Sequence, residues 1–254
     1  TLNGEGLQHQ DGHSHILSAT IPNCRSYDPA FGYELAVIIE HGLKEMYENK
    51  KNNFYYLTVT NERYIQPPKP KSKSIDKNII RGMHRVIEVK EPKIRLLGSG
   101  AILNECFKAS EILNDYGIDN EVWSVTSFNM LRKDGMETEN ENIKNPLSKD
   151  KKSFVAKSFS ENDIPTVAST DYMRAYSEQI RPYMSSPYYT LGTDGFGRSD
   201  SREKLREFFE IDANNIVMTS AYALFKEGTL DKKEMQKIYK KCDLKRNKNS
   251  PWNE

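Results

Sequence analysis

Cysteine is scarce in this sequence, and what there is does not pair. Cys24, Cys106 and Cys242 are odd in number, far apart and free of any C-x-x-C spacing. That excludes a disulfide framework and a structural zinc knuckle, and it suits a reducing cytoplasm. Long apolar runs are missing as well. The longest, Leu35-Ala36-Val37-Ile38-Ile39, is far short of the roughly 20 residues of a membrane-spanning helix, and no charged-then-apolar signal pattern opens the chain. A soluble protein with no membrane partner is expected. Nor is there an excess of charge: Lys plus Arg number 37 against 36 Asp plus Glu, a net +1, so no field gathers nucleic acid or anionic lipid. Internal repeats are absent, and 254 residues suffice for one full domain with a piece of another.

What is present is regular punctuation. IPNCRSY (21–27) is a short strand candidate, and residues 29–47 place Phe31, Leu35, Ile38, Ile39, Leu43 and Met46 at helical spacing behind Pro29, which suits a first helical turn. FYYLTVT (54–60) is aromatic and β-branched and reads as a buried strand. This is a β-α-β order. QPPKPKSKSIDK (66–77) holds three prolines, several lysines and no evident core residue, a composition that stays extended and solvated. The boundary is therefore placed there, with one unit over residues 1–67, a linker over 68–78 and a second unit over 79–254.

Past the linker, strand candidates recur at 86–89, 94–97, 121–125, 166–169 and 188–191, most of them separated by helical patterns. This predicts an α/β unit with crossover connections and a largely parallel sheet flanked by helices. Asp171, Asp200 with Glu203, and Asp231 with Glu234 mark helix starts. Residues 135–153, heavy in Asn, Glu and Lys, read as a mobile surface loop.

Three stretches carry the chemistry. In LGSGAIL (97–103) a strand runs through Gly98 and Gly100 into a helix, but Leu103 stands where a dinucleotide fingerprint needs its third glycine, so a plain strand-to-helix turn is expected. LGTDGFGRSDSREKL (191–205) gathers three glycines, Asp194, Arg198 and Arg202 before a helix start. It is either an anion-holding edge or, as the base rate of turns favours, a tight turn in which Phe196 plugs the core and Asp200 caps the helix. Most distinctive is GEGLQHQDGHSH (4–15), which holds three of the five histidines, His9, His13 and His15, with Glu5 and Asp11. Three readings stand open: a zinc site, a solvated polar loop, and a catalytic loop whose imidazoles and carboxylates share proton transfer near neutral pH.

TLNGEGLQHQDGHSH, IPNCRSYDPAFGYELAVI, LLGSG, VWSVTSF, VASTDYM and LGTDGFGRSDSRE together resemble, in order, the carboxyl-terminal part of bacterial homodimeric pyruvate dehydrogenases. These are the thiamine-diphosphate-dependent decarboxylating components of the pyruvate dehydrogenase complex, in the transketolase superfamily. Transketolase itself is the weaker likeness, because His13 replaces the proline usual in its DGxTH-like string. The resemblance implies a transketolase-type carboxyl-terminal domain preceded by the end of a thiamine-binding, pyrimidine-type α/β domain. It implies that the chain, opening mid-motif on Thr1, is a fragment of a longer protein. For that full-length protein it implies thiamine diphosphate and Mg2+ as cofactors, a homodimer, and a dihydrolipoamide acetyltransferase partner that accepts the two-carbon unit of pyruvate.

By the same resemblance His9 is the active-site histidine of the loop, His15 lines its channel, and Glu5, Asp11 and His13 support them. No cofactor ligand is expected in this chain. Asp134-Gly135 followed by Asn162 has the spacing of the diphosphate motif, yet Lys133 replaces its first glycine and a helical pattern surrounds it. The glutamate that activates the cofactor lies upstream in the family, so the chain alone is expected to be inactive. The alternatives are a non-catalytic domain supporting dimer packing and transketolase-like sugar chemistry.

Overall fold

The computed structural model describes residues 1–4, 6–242, 244 and 249–253. The first unit contains α1 (Ser14–Ala19), β1 (Cys24–Tyr27), α2 (Gly32–Leu43) and β2 (Phe54–Leu57). β1 and β2 pair in parallel, Cys24 opposite Phe54 through Tyr27 opposite Leu57. Beyond it lie α3 (Ile75–Arg81), β3 (Met83–Ile87), β4 (Ile94–Gly98), α4 (Leu103–Asp115), β5 (Asn120–Val125), α5 (Phe128–Lys144) and α6 (Phe154–Ser158). β6 (Thr166–Ser169), α7 (Arg174–Glu178), β7 (Tyr188–Leu191), α8 (Arg202–Phe208), α9 (Ala213–Lys226) and α10 (Lys232–Lys241) follow.

The second unit's sheet runs β3-β5-β4-β6-β7, with β3 antiparallel to β5 and every other pair parallel. This is the α/β architecture with a mostly parallel sheet expected from the alternating patterns. Successive strand residues serve opposite faces, as the two-residue period requires. Leu96, Val122 and Val167 pack with α4 and α9, and their neighbours Leu97, Trp123 and Ala168 pack with Phe128, Phe154 and Tyr176 on the other face. Connections leaving β4 and β6 run to opposite sides, which opens a crevice between the carboxyl ends of these neighbouring strands, the usual ligand position in such sheets. The Gly98-Ser99-Gly100 turn lies there.

Local expectations failed in instructive places. The supposed linker ends in α3, whose Ile75 and Ile79 are buried with Tyr27, Val37 and Ile38 of the first unit. Only its proline-rich beginning lacks helix or strand. The stretch 135–153 is half helix: α5 continues to Lys144, because Glu, Lys and Met favour helix and polar side chains suit its outer face. Gly135 inside that helix receives the Tyr183 ring so closely that a Cβ would stand 2.2 Å from it. β2 is half-exposed rather than buried, having one described sheet neighbour. The first strand beyond the linker is Met83–Ile87 rather than 86–89, with a register irregularity between Arg85 and Ile87.

Ser201, not Asp200, caps α8 through its hydroxyl, and Met173, not Asp171, occupies the N-cap of α7. Phe196 does not plug the core; it is 73% exposed. The capping box of Asp231 and Glu234 is present as expected.

Candidate active site

The opening stretch is held against the second unit. A short 3-10 turn, Leu7–His9, leads into it. Gln10 then reads the backbone of the glycine-rich loop in both directions: its Nε2 donates to the Arg198 carbonyl at 2.5 Å, and its Oε1 accepts from the Arg198 amide at 2.9 Å. Gly4 N donates to Asp200 O, and Met173 N donates to Gly12 O. Gly4 and residues 10–12 therefore lie against the sheet's carboxyl edge.

The three histidines stand in different surroundings. His9 and His13 are exposed, whereas His15 on α1 is fully buried. Its ring stacks on Tyr176 at 4.7 Å and meets Tyr172 and Tyr56 edge-on. Burial pushes its pKa down to about 4, with the Asp11 charge opposing, so the imidazole is neutral at pH 7. Asp11 itself orients no imidazole by hydrogen bonding. Its Oδ1 accepts from the amides of His13 and Ser14, and its Oδ2 accepts from the Ser14 hydroxyl, so it caps α1. Burial raises its carboxyl, but those hydrogen bonds prevail and hold it below the ordinary value. Glu5 lies outside the described residues.

A cavity of about 460 Å³ opens beside this loop, lined among others by Asp11, Asp28, Thr58, Asp171, Tyr172 and Arg202. A smaller one of about 200 Å³ holds Asp11, His13 and Phe196 in its wall. Asp28 is the residue that pattern reading missed. It follows β1, is buried, and meets the glycine turn: Gly100 N donates to its carbonyl, and a Cβ on Gly100 would stand 2.5 Å from its Oδ2. The positive φ of Gly100, +50°, adds a second reason for glycine there. So the turn in LGSG is shaped by a carboxylate rather than a phosphate. Burial lifts the Asp28 carboxyl to about 7, opposed by a hydrogen bond from Thr58 and reinforced by the nearby Asp171 and Glu34 charges. The available signal was position: Asp28 and Thr58 each directly follow a parallel strand at its carboxyl end.

Among the described residues no group of three or more His, Cys, Asp or Glu could hold a metal ion. Asp134 and Gly135 lie inside α5, where Asp134 accepts from Arg81 and from the Phe154 amide. Asp134 and Gly135 therefore do not form the diphosphate turn that their spacing imitates. In the glycine-rich loop, Asp194 accepts from Arg174 N and Arg202 contacts Asn61 and Glu62.

Residues 82–212 match the family model described as the transketolase-like TK C-terminal domain.

The chain belongs to that family.

Residues 1–67 match the pyruvate dehydrogenase E1 component middle domain, which makes the whole a transketolase-like carboxyl-terminal domain preceded by middle-domain sequence. Over 99% of its length the chain is 49% identical to the pyruvate dehydrogenase E1 component of Pseudomonas aeruginosa, and 48% identical to that of Escherichia coli. It spans 29% and 28% of those proteins, respectively. Transketolase from Leishmania mexicana shares the fold with a TM-score of 0.62 at 17% identity, over 88% of this chain and 28% of that one. Among the described residues of this transketolase-like chain, no helix is long and apolar enough to cross a membrane.

Proposed function

We propose that these residues form the carboxyl-terminal part of a pyruvate dehydrogenase of the acetyl-transferring kind. Such an enzyme decarboxylates pyruvate and passes the two-carbon unit to a lipoyl group on a dihydrolipoamide acetyltransferase component. Its cofactor, thiamine diphosphate with Mg2+, is assigned to the portion of the enzyme to which these residues do not correspond, and it supplies the electron sink for decarboxylation. The whole enzyme is taken as a cytoplasmic homodimer, and the 254-residue chain alone as inactive.

The observation that carries this reading is the Gln10 clamp. It holds Gln10 and Asp11 in the wall of a cavity at the sheet's carboxyl edge, and the adjacent His9, outside that lining, keeps an exposed imidazole. His9 is assigned as proton donor or electrostatic stabiliser for the substrate's developing charge and Glu5, Asp11 and His13 as supports. His15, expected to line the channel, is buried outside the lining of either cavity and is assigned as a partner behind it. In the complete enzyme, His9→Ala should lower turnover roughly a hundredfold to ten-thousandfold with little change in melting temperature. Wild-type turnover in that variant would sink the reading.

A further inference from the structure

The glycine-rich loop after β7 is anchored on both sides of a three-residue tip. On one side Thr193 N donates to Tyr172 O at 2.9 Å, the Thr193 hydroxyl donates to Asp171 O at 2.9 Å, and Arg174 N donates to Asp194 Oδ1 at 3.1 Å. On the other side Gln10 grips the Arg198 backbone. Between these anchors Gly195, Phe196 and Gly197 make no hydrogen bond among the described residues. All three nevertheless stand in the wall of the small cavity, beside Asp11 and His13. Two glycines, an exposed ring and no hydrogen bonds mark the low-stability end of a fold, from which lids are drawn.

The tip is met by the turn Pro251–Asn253, which is closed by a hydrogen bond from Asn253 N to Ser250 O at 2.8 Å. The approach is backbone on backbone. A Cβ on Gly195 would stand 2.8 Å from Pro251 O and 3.1 Å from Trp252 N, and Gly195 also holds its φ at +105°. Neither atom is the end of a side chain that could swing aside, so glycine is what lets the turn sit here. The Trp252 ring is 57% exposed, and the seat therefore depends on the course of the chain rather than on that side chain. Neither Pro251 nor Trp252 lines the cavity, so the turn backs the tip from outside it.

We propose that residues 195–197 are a lid on the small cavity and that the turn Pro251–Asn253 is the latch that holds it shut. With the turn seated, the tip cannot move into the space that Pro251 and Trp252 fill. With the turn lifted, the tip swings between its two anchors and carries Phe196 out of the cavity wall. The latch is a property of the fold, whereas its control of substrate entry rests on the active-site reading above.

Tryptic cleavage of the 254-residue protein after Arg198, with the fragments followed by mass spectrometry, tests the latch directly. Where opening is fast relative to cleavage, the initial rate tracks the population of the open tip, and deletion of residues 250–254 should raise it about tenfold. Cuts after Lys71 and Lys73, exposed in the stretch before α3, should keep their rates, and the melting temperature should not move. Trp252→Ala, which leaves the backbone seat in place, should cleave like wild type. An unchanged cut after Arg198 in the deletion, a rise shared by the cuts at Lys71 and Lys73, or a Trp252→Ala protein as fast as the deletion would overturn the latch. In the complete enzyme the same deletion should change kcat and KM together, and unchanged kinetics beside a faster cut would overturn the lid's role at the site. A His9→Ala enzyme with wild-type turnover would sink only the reading underneath, because the cleavage result does not depend on it.

Discussion

The two units of this chain bury their sheets to different degrees. In the second unit every residue of β4, β5 and β6 is buried, with helices on both faces. The first unit has two paired strands, one of them half-exposed. Ile39, Leu43 and Tyr47 also stand exposed along its helical stretch. Two strands alone are marginal in water, whereas five with both faces covered are self-sufficient. The first unit compensates by borrowing polar and apolar contacts from the second. Ser127 Oγ donates to Ser26 O, Asn129 Nδ2 donates to His15 O, and Glu34 accepts from Ser124 and His84. Arg206, buried on α8, is paired with Glu62 and with Glu105. The candidate cavity draws Asp11, Asp28 and Thr58 from the sparsely covered first unit and Asp171, Tyr172 and Arg202 from the second.

The strongest way to break this comparison is to separate the units. Residues 79–254 expressed alone should unfold cooperatively, as followed by circular dichroism, while residues 1–67 alone should show no cooperative transition. Cooperative unfolding of the short piece would remove the asymmetry. Next in size is Glu34→Ala. One carboxylate accepts from Ala30 N, Phe31 N, His84 Nε2 and Ser124 Oγ, so truncation strands buried donors from both units. A loss of about 3–5 kcal/mol by denaturant titration is expected, and a loss below about 1 kcal/mol would show that the join is not made here.

The pH dependence sharpens the comparison at the site itself. His15 binds its proton in the unfolded chain at about 6.5 but in the folded one at about 4, so its contribution is complete above 6.5 and falls away as pH drops towards 4. Asp28 behaves oppositely: folded near 7 against 3.8 unfolded, it favours folding below 3.8 and loses that contribution as pH rises through 7. Between about pH 4 and 6.5 the two slopes oppose each other. Asp28→Asn should therefore make stability drop more steeply on acidification than in wild type, by up to about 1.4 kcal/mol per pH unit. His15→Gln should tilt the difference the other way, and equal slopes in all three proteins would contradict the burial argument.

The smallest effect is expected at Phe196. With its ring in solvent, Phe196→Ser should shift stability by less than about 0.5 kcal/mol, measured by thermal melts. A larger loss would restore the plugging role that the glycine-rich stretch suggested.

Two-residue and helical periods reveal strands and helices because burial repeats locally. Thus β6 and β7 lie where their β-branched and aromatic runs placed them, and the Asp231 box caps α10. The same patterns misread 135–153, since a polar helix face resembles a polar loop when a packing contact such as Tyr183 on Gly135 comes from a distant segment. At the site, the histidine-rich loop was visible by composition, and its neighbours were not. Thr58 lies 43 positions from His15 and 30 from Asp28, and Gln10 lies 188 from Arg198. Such partners meet because crossover connections return parallel strands to one edge of a sheet, and a local pattern records burial but not which distant edge the chain returns to. Composition and periodicity thus settled the α/β class and the candidate loop. Folding alone set which imidazole is buried and which carboxylate faces the glycine turn.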